Sequence, residues 1–158
     1  MTQPAPGRDD YFVSTSAELI DLDFVCAALW GSYWAQSRPR AVIEASLKAS
    51  LCFGLYERPG GRQVGIARVV TDGATFSWLC DVVVDEGHRG KGLGKFLVAS
   101  VVGDPRLEGT MFMLGTRDAH GLYEKFGFFR SEMMRLLPLG MHDTLPRPQP
   151  PPADPGRG

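Results

Sequence analysis

The chain has 158 residues, 44% of them hydrophobic, which suits one globular domain built around one sizeable core. Seventeen basic residues against eighteen acidic ones leave a formal charge of -1, without the positive excess that nucleic-acid binding requires. No apolar run approaches the length of a membrane span, and the polar N-terminus has no apolar signal core, so the chain reads as cytoplasmic and free of the membrane.

Residues 1–9 read as a flexible N-terminus and 10–142 as the domain. Tyr11 to Ser14 predicts a short strand. Leu19, Leu22, Cys26, Leu29 and Trp30 recur at three- and four-residue steps and predict an amphipathic helix. Pro39 suits a first helical turn, and Val42, Ile43 and Leu47 form the stripe of a second helix. The turn signals Pro59-Gly60-Gly61 and Asp72-Gly73 then divide three strands of an antiparallel meander: Leu51 to Glu57, Gln63 to Thr71 and Ala74 to Val84. Strict alternation along the third puts Phe76, Trp78, Cys80, Val82 and Val84 on one face and Asp81 with Leu79 and Val83 on the other.

A glycine-rich turn leads into a helix carrying Leu93, Phe96, Leu97 and Val101. There follow a strand over Met111 to Gly115, a helix with Ala119, Leu122, Tyr123 and Phe126 ended by Gly127, and a last strand near Phe128 to Leu137. The fold class is therefore α/β (α+β), with a mixed, mostly antiparallel sheet flanked by helices in the order β-α-α-β-β-β-α-β-α-β. Residues 143–158 hold six prolines and Leu145 as their only large apolar side chain, the composition of a disordered tail. Cys26, Cys52 and Cys80 sit in apolar surroundings and read as reduced core thiols. With no Cys-x-x-Cys or His-x-x-x-His pair, no metal is expected.

The chemistry concentrates in Arg89-Gly90-Lys91-Gly92-Leu93-Gly94-Lys95, between a predicted strand and a predicted helix. Backbone amides at a helix start can hold an anion, glycines let it approach closely, and Arg89, Lys91 and Lys95 add positive charge, so phosphate is the natural guest. The glycine spacing meets neither G-x-G-x-x-G of dinucleotide folds nor the P-loop pattern, since Leu93 follows Gly92.

Val82-Val83-Val84 followed by Arg89-Gly90-Lys91-Gly92-Leu93-Gly94 resembles the acetyl-CoA signature R/Q-x-x-G-x-G/A of the GNAT superfamily of N-acetyltransferases. Ala119-His120-Gly121-Leu122-Tyr123-Glu124-Lys125-Phe126-Gly127-Phe128 is similar to the A-x-x-L-Y-x-K-x-G-F element that closes many such domains. The resemblance implies a cosubstrate, acetyl-CoA, whose pantetheine arm bonds to the backbone of Val82 and Val84. Its pyrophosphate would lie on the amides of Arg89 to Lys95, chiefly Arg89, Gly90, Gly92, Gly94 and Lys95. It implies direct attack by a neutral primary amine, with Tyr123 as proton donor to the leaving thiolate; the alternative for Tyr123 is core packing beside Leu122 and Phe126.

Similar enzymes often place a glutamate or histidine where this chain has Trp78 and Cys80, and Asp81 is the nearby carboxylate. Asp81 either polarises a water or holds the substrate ammonium, or makes a structural bond to Arg68 or a neighbouring backbone. Asp118 reads as a helix N-cap, and His88 and His120 as exposed helix-edge residues. The segment Gly31 to Arg40 corresponds to the acceptor border, giving Tyr33, Trp34 and Arg38, with Trp78, as candidate substrate-binding residues. Its arginines either hold the carboxylate of an amino-acid-like acceptor or are solvated loop charges. The resemblance leaves three readings: an acetyltransferase for a small-molecule amine, one for a protein amine, and a silent acyl-CoA-binding domain, as monomer or homodimer.

Overall fold

The computed structural model describes residues 8–141; the proline-rich 143–158 and most of residues 1–9 lie outside them. Five strands form one sheet in the order β1 (Tyr11–Ser14), β2 (Leu51–Glu57), β3 (Gln63–Thr71), β4 (Phe76–Val84) and β5 (Met111–Met113). The first four are antiparallel neighbours, and β5 runs parallel to β4. Helices α1 (Leu22–Trp30) and α2 (Arg40–Lys48) cover one face; α3 (Leu93–Val102) and the short α4 (His120–Glu124) belong to the other.

Local chemistry sets these elements. Asp21 caps α1 by accepting from the Phe24 amide at 3.1 Å, and Val25, Cys26 and Leu29 then fall on the buried stripe. Pro39 precedes α2, and its carbonyl accepts from the amides of Val42 and Ile43. Gly92 opens α3 at φ 74°, a left-handed conformation that glycine adopts without strain. Leu97, Val98 and Val101 are fully buried against Phe53, Ala67, Val69 and Leu79; each such aliphatic side chain contributes roughly 1.5–3 kcal/mol on burial. Gly54 on β2 is a packing requirement, because a Cβ there would overlap the Tyr56 ring, which stacks on Phe12 at 5.1 Å.

Three strands differ from the expectation: β5 stops at Met113 rather than Gly115, and the other two differ for physical reasons. The carboxylate of Asp72 accepts from the amides of Ala74, Thr75 and Phe76, which holds residues 74–75 in the turn and delays β4 until Phe76. The expected last strand over Phe128 to Leu137 does not form. α4 closes at Glu124 with Lys125 as its cap, Gly127 follows at φ 86°, Phe128 packs on Tyr123 and Phe112, and beyond it Phe129, Met134 and Leu136 are exposed. A strand there would need a ladder, and the neighbouring β5 is only three residues long.

The alternation along β4 is also broken. Ile66 pairs with Val83 and Arg68 with Cys80, so Asp81 and Val82 stand opposite Ala67 alone, a β-bulge with Asp81 at φ 52°. The extra residue reverses the faces. Val82 and Val84 join Leu79 in the α3-side core, while Val83 packs with α1, and Asp81 reaches the α1–α2 side instead of standing opposite Cys80. No described helix is long and apolar enough to cross a membrane.

Candidate active site

The sheet forks at Trp78. β5 pairs with β4 through Phe76–Met111, Ser77–Phe112 and Trp78–Met113, and from Leu79 to Val84 β4 keeps β3 on one side with no strand among the described residues on the other. The Asp85 amide donates to Val64 on the β3 side at 2.8 Å, so by alternation Val84 and Val82 turn their backbone groups to the open side. There the Val84 carbonyl accepts from Arg89 Nε at 3.2 Å.

Beyond β4 the glycine-rich turn runs into α3. The Arg89 amide donates within the turn to the Glu86 carbonyl at 3.3 Å. The first helical donor is Phe96, to Gly92 at 3.0 Å, and the amides of residues 90–95 donate to no protein acceptor among the described residues. Gly90 at φ 76° and Gly92 at φ 74° give the turn its curvature, with open space where a Cβ would stand. Lys91 and Lys95 are exposed and line a cleft with Tyr11, Phe96 and Ala99. Free amides at a helix start beside two lysines are chemically suited to a diphosphate.

Tyr123, on α4, is 8% exposed and joins the α3-side core, so part of its surface does serve packing. Its hydroxyl makes no hydrogen bond among the described residues. Burial, aided by the nearby Tyr33 phenol and Asp118 carboxylate, pushes it up to about 12. It stays protonated across the physiological range.

Asp81 is the hub of a separate cluster. Its Oδ2 accepts from Arg38 Nη1 and Arg68 Nε, both at 2.8 Å, and its Oδ1 from Trp34 Nε1 at 3.1 Å. Burial would raise its pKa, but the Arg38 and Arg68 guanidiniums outweigh that and hold it below the usual carboxylate range. Bonded at both oxygens, it is a poor proton acceptor; its observed part is to pin the α1–α2 loop to the β4 bulge. Trp30 Nε1 donates to the Arg38 carbonyl at 2.8 Å, and Tyr33 meets Trp34 edge-on at 4.9 Å. Burial pushes the Cys80 thiol, beside Asp81, up to about 11.

The candidate residues thus fall into three groups: the cofactor set at the fork and turn, Tyr123 beneath them, and Tyr33, Trp34 and Arg38 around Asp81. Trp78 stands at the fork itself as the last β4 residue paired with β5. Arg40 leaves the loop for an exposed pair with Asp23 at 2.7 Å. Asp118 is not the cap of α4: Ala119 occupies that position, and Thr116 Oγ1 accepts from its amide at 3.0 Å. His88, read as exposed, is buried, with Nδ1 2.9 Å from Asp85 and its ring edge-on to Tyr11. Sequence reading overlooked Arg117, whose guanidinium lies 3.8 Å from the Tyr33 ring centroid and whose amide donates to Tyr33 Oη at 3.0 Å. Its place just before the last helix was the one available hint.

Comparison with known proteins agrees with this layout. The profile of the acetyltransferase (GNAT) domain matches residues 48–129. A Gibberella zeae protein that carries an acetyltransferase name is 32% identical over 140 residues, covering 75% of this chain and 78% of its own. A crystal structure of a GNAT-family protein from Xanthomonas campestris pv. campestris is 40% identical, with a TM-score of 0.75 over 81% of this chain and 94% of that one. A GNAT-family acetyltransferase from Elizabethkingia anophelis, solved with acetyl-CoA bound, shares the fold at 14% identity and a TM-score of 0.60, covering 78% of this chain and 79% of that one. On the profile match and the Gibberella relative together, this chain belongs to the GNAT family of acetyltransferases.

Proposed function

We propose that the protein is an acetyl-CoA-dependent N-acetyltransferase acting on the primary amine of a small molecule. The observation that carries the reading is the unpaired β4 edge beyond Trp78, followed directly by the free amides of residues 90–95. Acetyl-CoA, when bound, supplies the acetyl thioester. Val82 and Val84 offer backbone groups to a pantetheine arm as a strand edge does, and Gly90, Gly92, Gly94 and Lys95 offer amides to the pyrophosphate, with Lys91 and Lys95 adding charge. Arg89, now bonded to the Val84 carbonyl, exchanges that bond for the cofactor.

Tyr123 holds its proton at Oη at neutral pH, and its unbonded hydroxyl is left to deliver that proton to the departing sulfur. With Asp81 occupied at both oxygens, the proton of the acceptor ammonium passes to solvent before attack. Tyr33, Trp34, Arg38 and Trp78 border the acceptor. The reading is tested by free-thiol release from acetyl-CoA over amino acids, small amines, polyamines and N-terminal peptides. Acceptor-dependent release with small amines supports it; release with peptides alone, or none with any acceptor, contradicts it.

A further inference from the structure

We infer that the acceptor is an amine bearing a carboxylate, selected by Arg38 and Arg117 from the two ends of the Tyr33–Trp34 aromatic pair. The inference rests on the acetyl-transfer reading and specifies its substrate class. Four observations carry it.

First, one carboxylate, Asp81, faces two guanidiniums, Arg38 and Arg68, so the cluster retains one net positive charge. Second, the two arginines differ in what they have left to give. Arg68 is 13% exposed and donates to both Asp81 and Ser50, whereas Arg38 is 25% exposed and its guanidinium makes one bond, through Nη1. A guanidinium carries five N–H donors in a fixed plane, so most of Arg38's remain for a guest. Third, Arg38 is preorganised: its amide donates to Ala35 at 3.1 Å, its carbonyl accepts from Trp30, and Asp81 fixes its head. Fourth, Arg117 adds a second cation by stacking on Tyr33, and Tyr33, Trp34 and Asp81 link it to Arg38 in one contiguous chain of contacts.

A cationic polyamine would meet net repulsion here, whereas a carboxylate gains a charge-assisted, planar match to an arginine fork, and the aromatic pair offers an apolar wall to the rest of the molecule. Asp81 on this account is a positioning residue, acting through Arg38.

The test uses the full chain saturated with CoA, so that binding is read without turnover, and titrates the standard L-amino acids and their decarboxylated amines by calorimetry, with O-phosphoethanolamine as a phosphate-bearing amine. Thiol release from acetyl-CoA is measured on the same panel. The expected result is at least one acid that binds about tenfold or more tightly than its decarboxylated partner, with the same order in kcat/KM. That preference should shrink several-fold in Arg117→Gln, an exposed position whose loss leaves the Asp81 cluster intact, while CoA affinity stays unchanged. Arg38→Lys should retain charge and folding but lose most of the preference, since a point charge cannot reproduce the fork. Equal or weaker binding of the acids, a stronger response to O-phosphoethanolamine, or an unchanged preference in both variants would overturn the inference while leaving acetyl transfer standing. Failure to bind CoA would instead remove the acetyl-transfer reading and this inference with it.

Discussion

Tyr123 and Asp81, both named as candidates in the sequence, show how environment separates two ionisable residues. The Tyr123 phenol is buried, makes no hydrogen bond among the described residues and is raised to about 12, which keeps it protonated. Tyr123→Phe should therefore lower kcat by about a hundredfold, the lower range of general-acid contributions, with acetyl-CoA affinity within twofold of the parent. Because the acceptor amine must be neutral and Tyr123 loses its proton only near 12, kcat/KM should climb with pH through 9 with no falling limb; a falling limb below pH 10 would contradict the assignment. Asp81 has its folded-state pKa depressed, so its stabilisation is present above the unfolded value of about 3.9 and is lost as pH falls through the lower folded value. Asp81→Asn leaves Arg38 and Arg68 without their counter-charge and should cost about 3 kcal/mol at neutral pH, with a shallower loss of stability in acid, read by denaturant titration across pH. The same pairing was open in the sequence as one of two roles for Asp81. What decided it was the bulge, invisible to a period-two reading, which turns the carboxylate toward the α1–α2 loop.

At the level of elements, glycines and capping groups do the placing. Gly92 starts α3 at φ 74°, so Gly92→Ala imposes a left-handed alanine at about 1–2 kcal/mol without any clash, since nothing stands within 4 Å of the added Cβ. The variant should melt lower and bind acetyl-CoA more weakly, because relief of that strain would turn the amides of residues 90–95 away from a common centre; unchanged affinity would argue against the amide nest. Elements with strong local signals were legible beforehand: β2 and β3 lie where turn chemistry put them, β1 lies where its residue pattern put it, and the helix after Pro39 begins at Arg40. Those set by tertiary partners were not. β4 starts late because Asp72 claims three amides, and the apolar run after Phe128 forms no strand because it has no ladder to join.

For the molecule as a whole, the division of the sheet explains the division of labour. One face carries α1, α2 and the loop with Tyr33, Trp34 and Arg38; the other carries α3 and Tyr123; and the fork beyond Trp78 opens the sheet between them. The glycine and tyrosine motifs carried the family resemblance that implies the cofactor half, whereas Arg117 became visible only once the fold had stacked it on Tyr33, far away in sequence. The central claim is that the unpaired β4 edge and the turn after it receive acetyl-CoA. A calorimetric titration of acetyl-CoA into the full chain tests it most directly. Saturable one-to-one binding that weakens in Gly92→Ala and persists in Tyr123→Phe is the result predicted; no binding, or binding indifferent to Gly92→Ala, would contradict it.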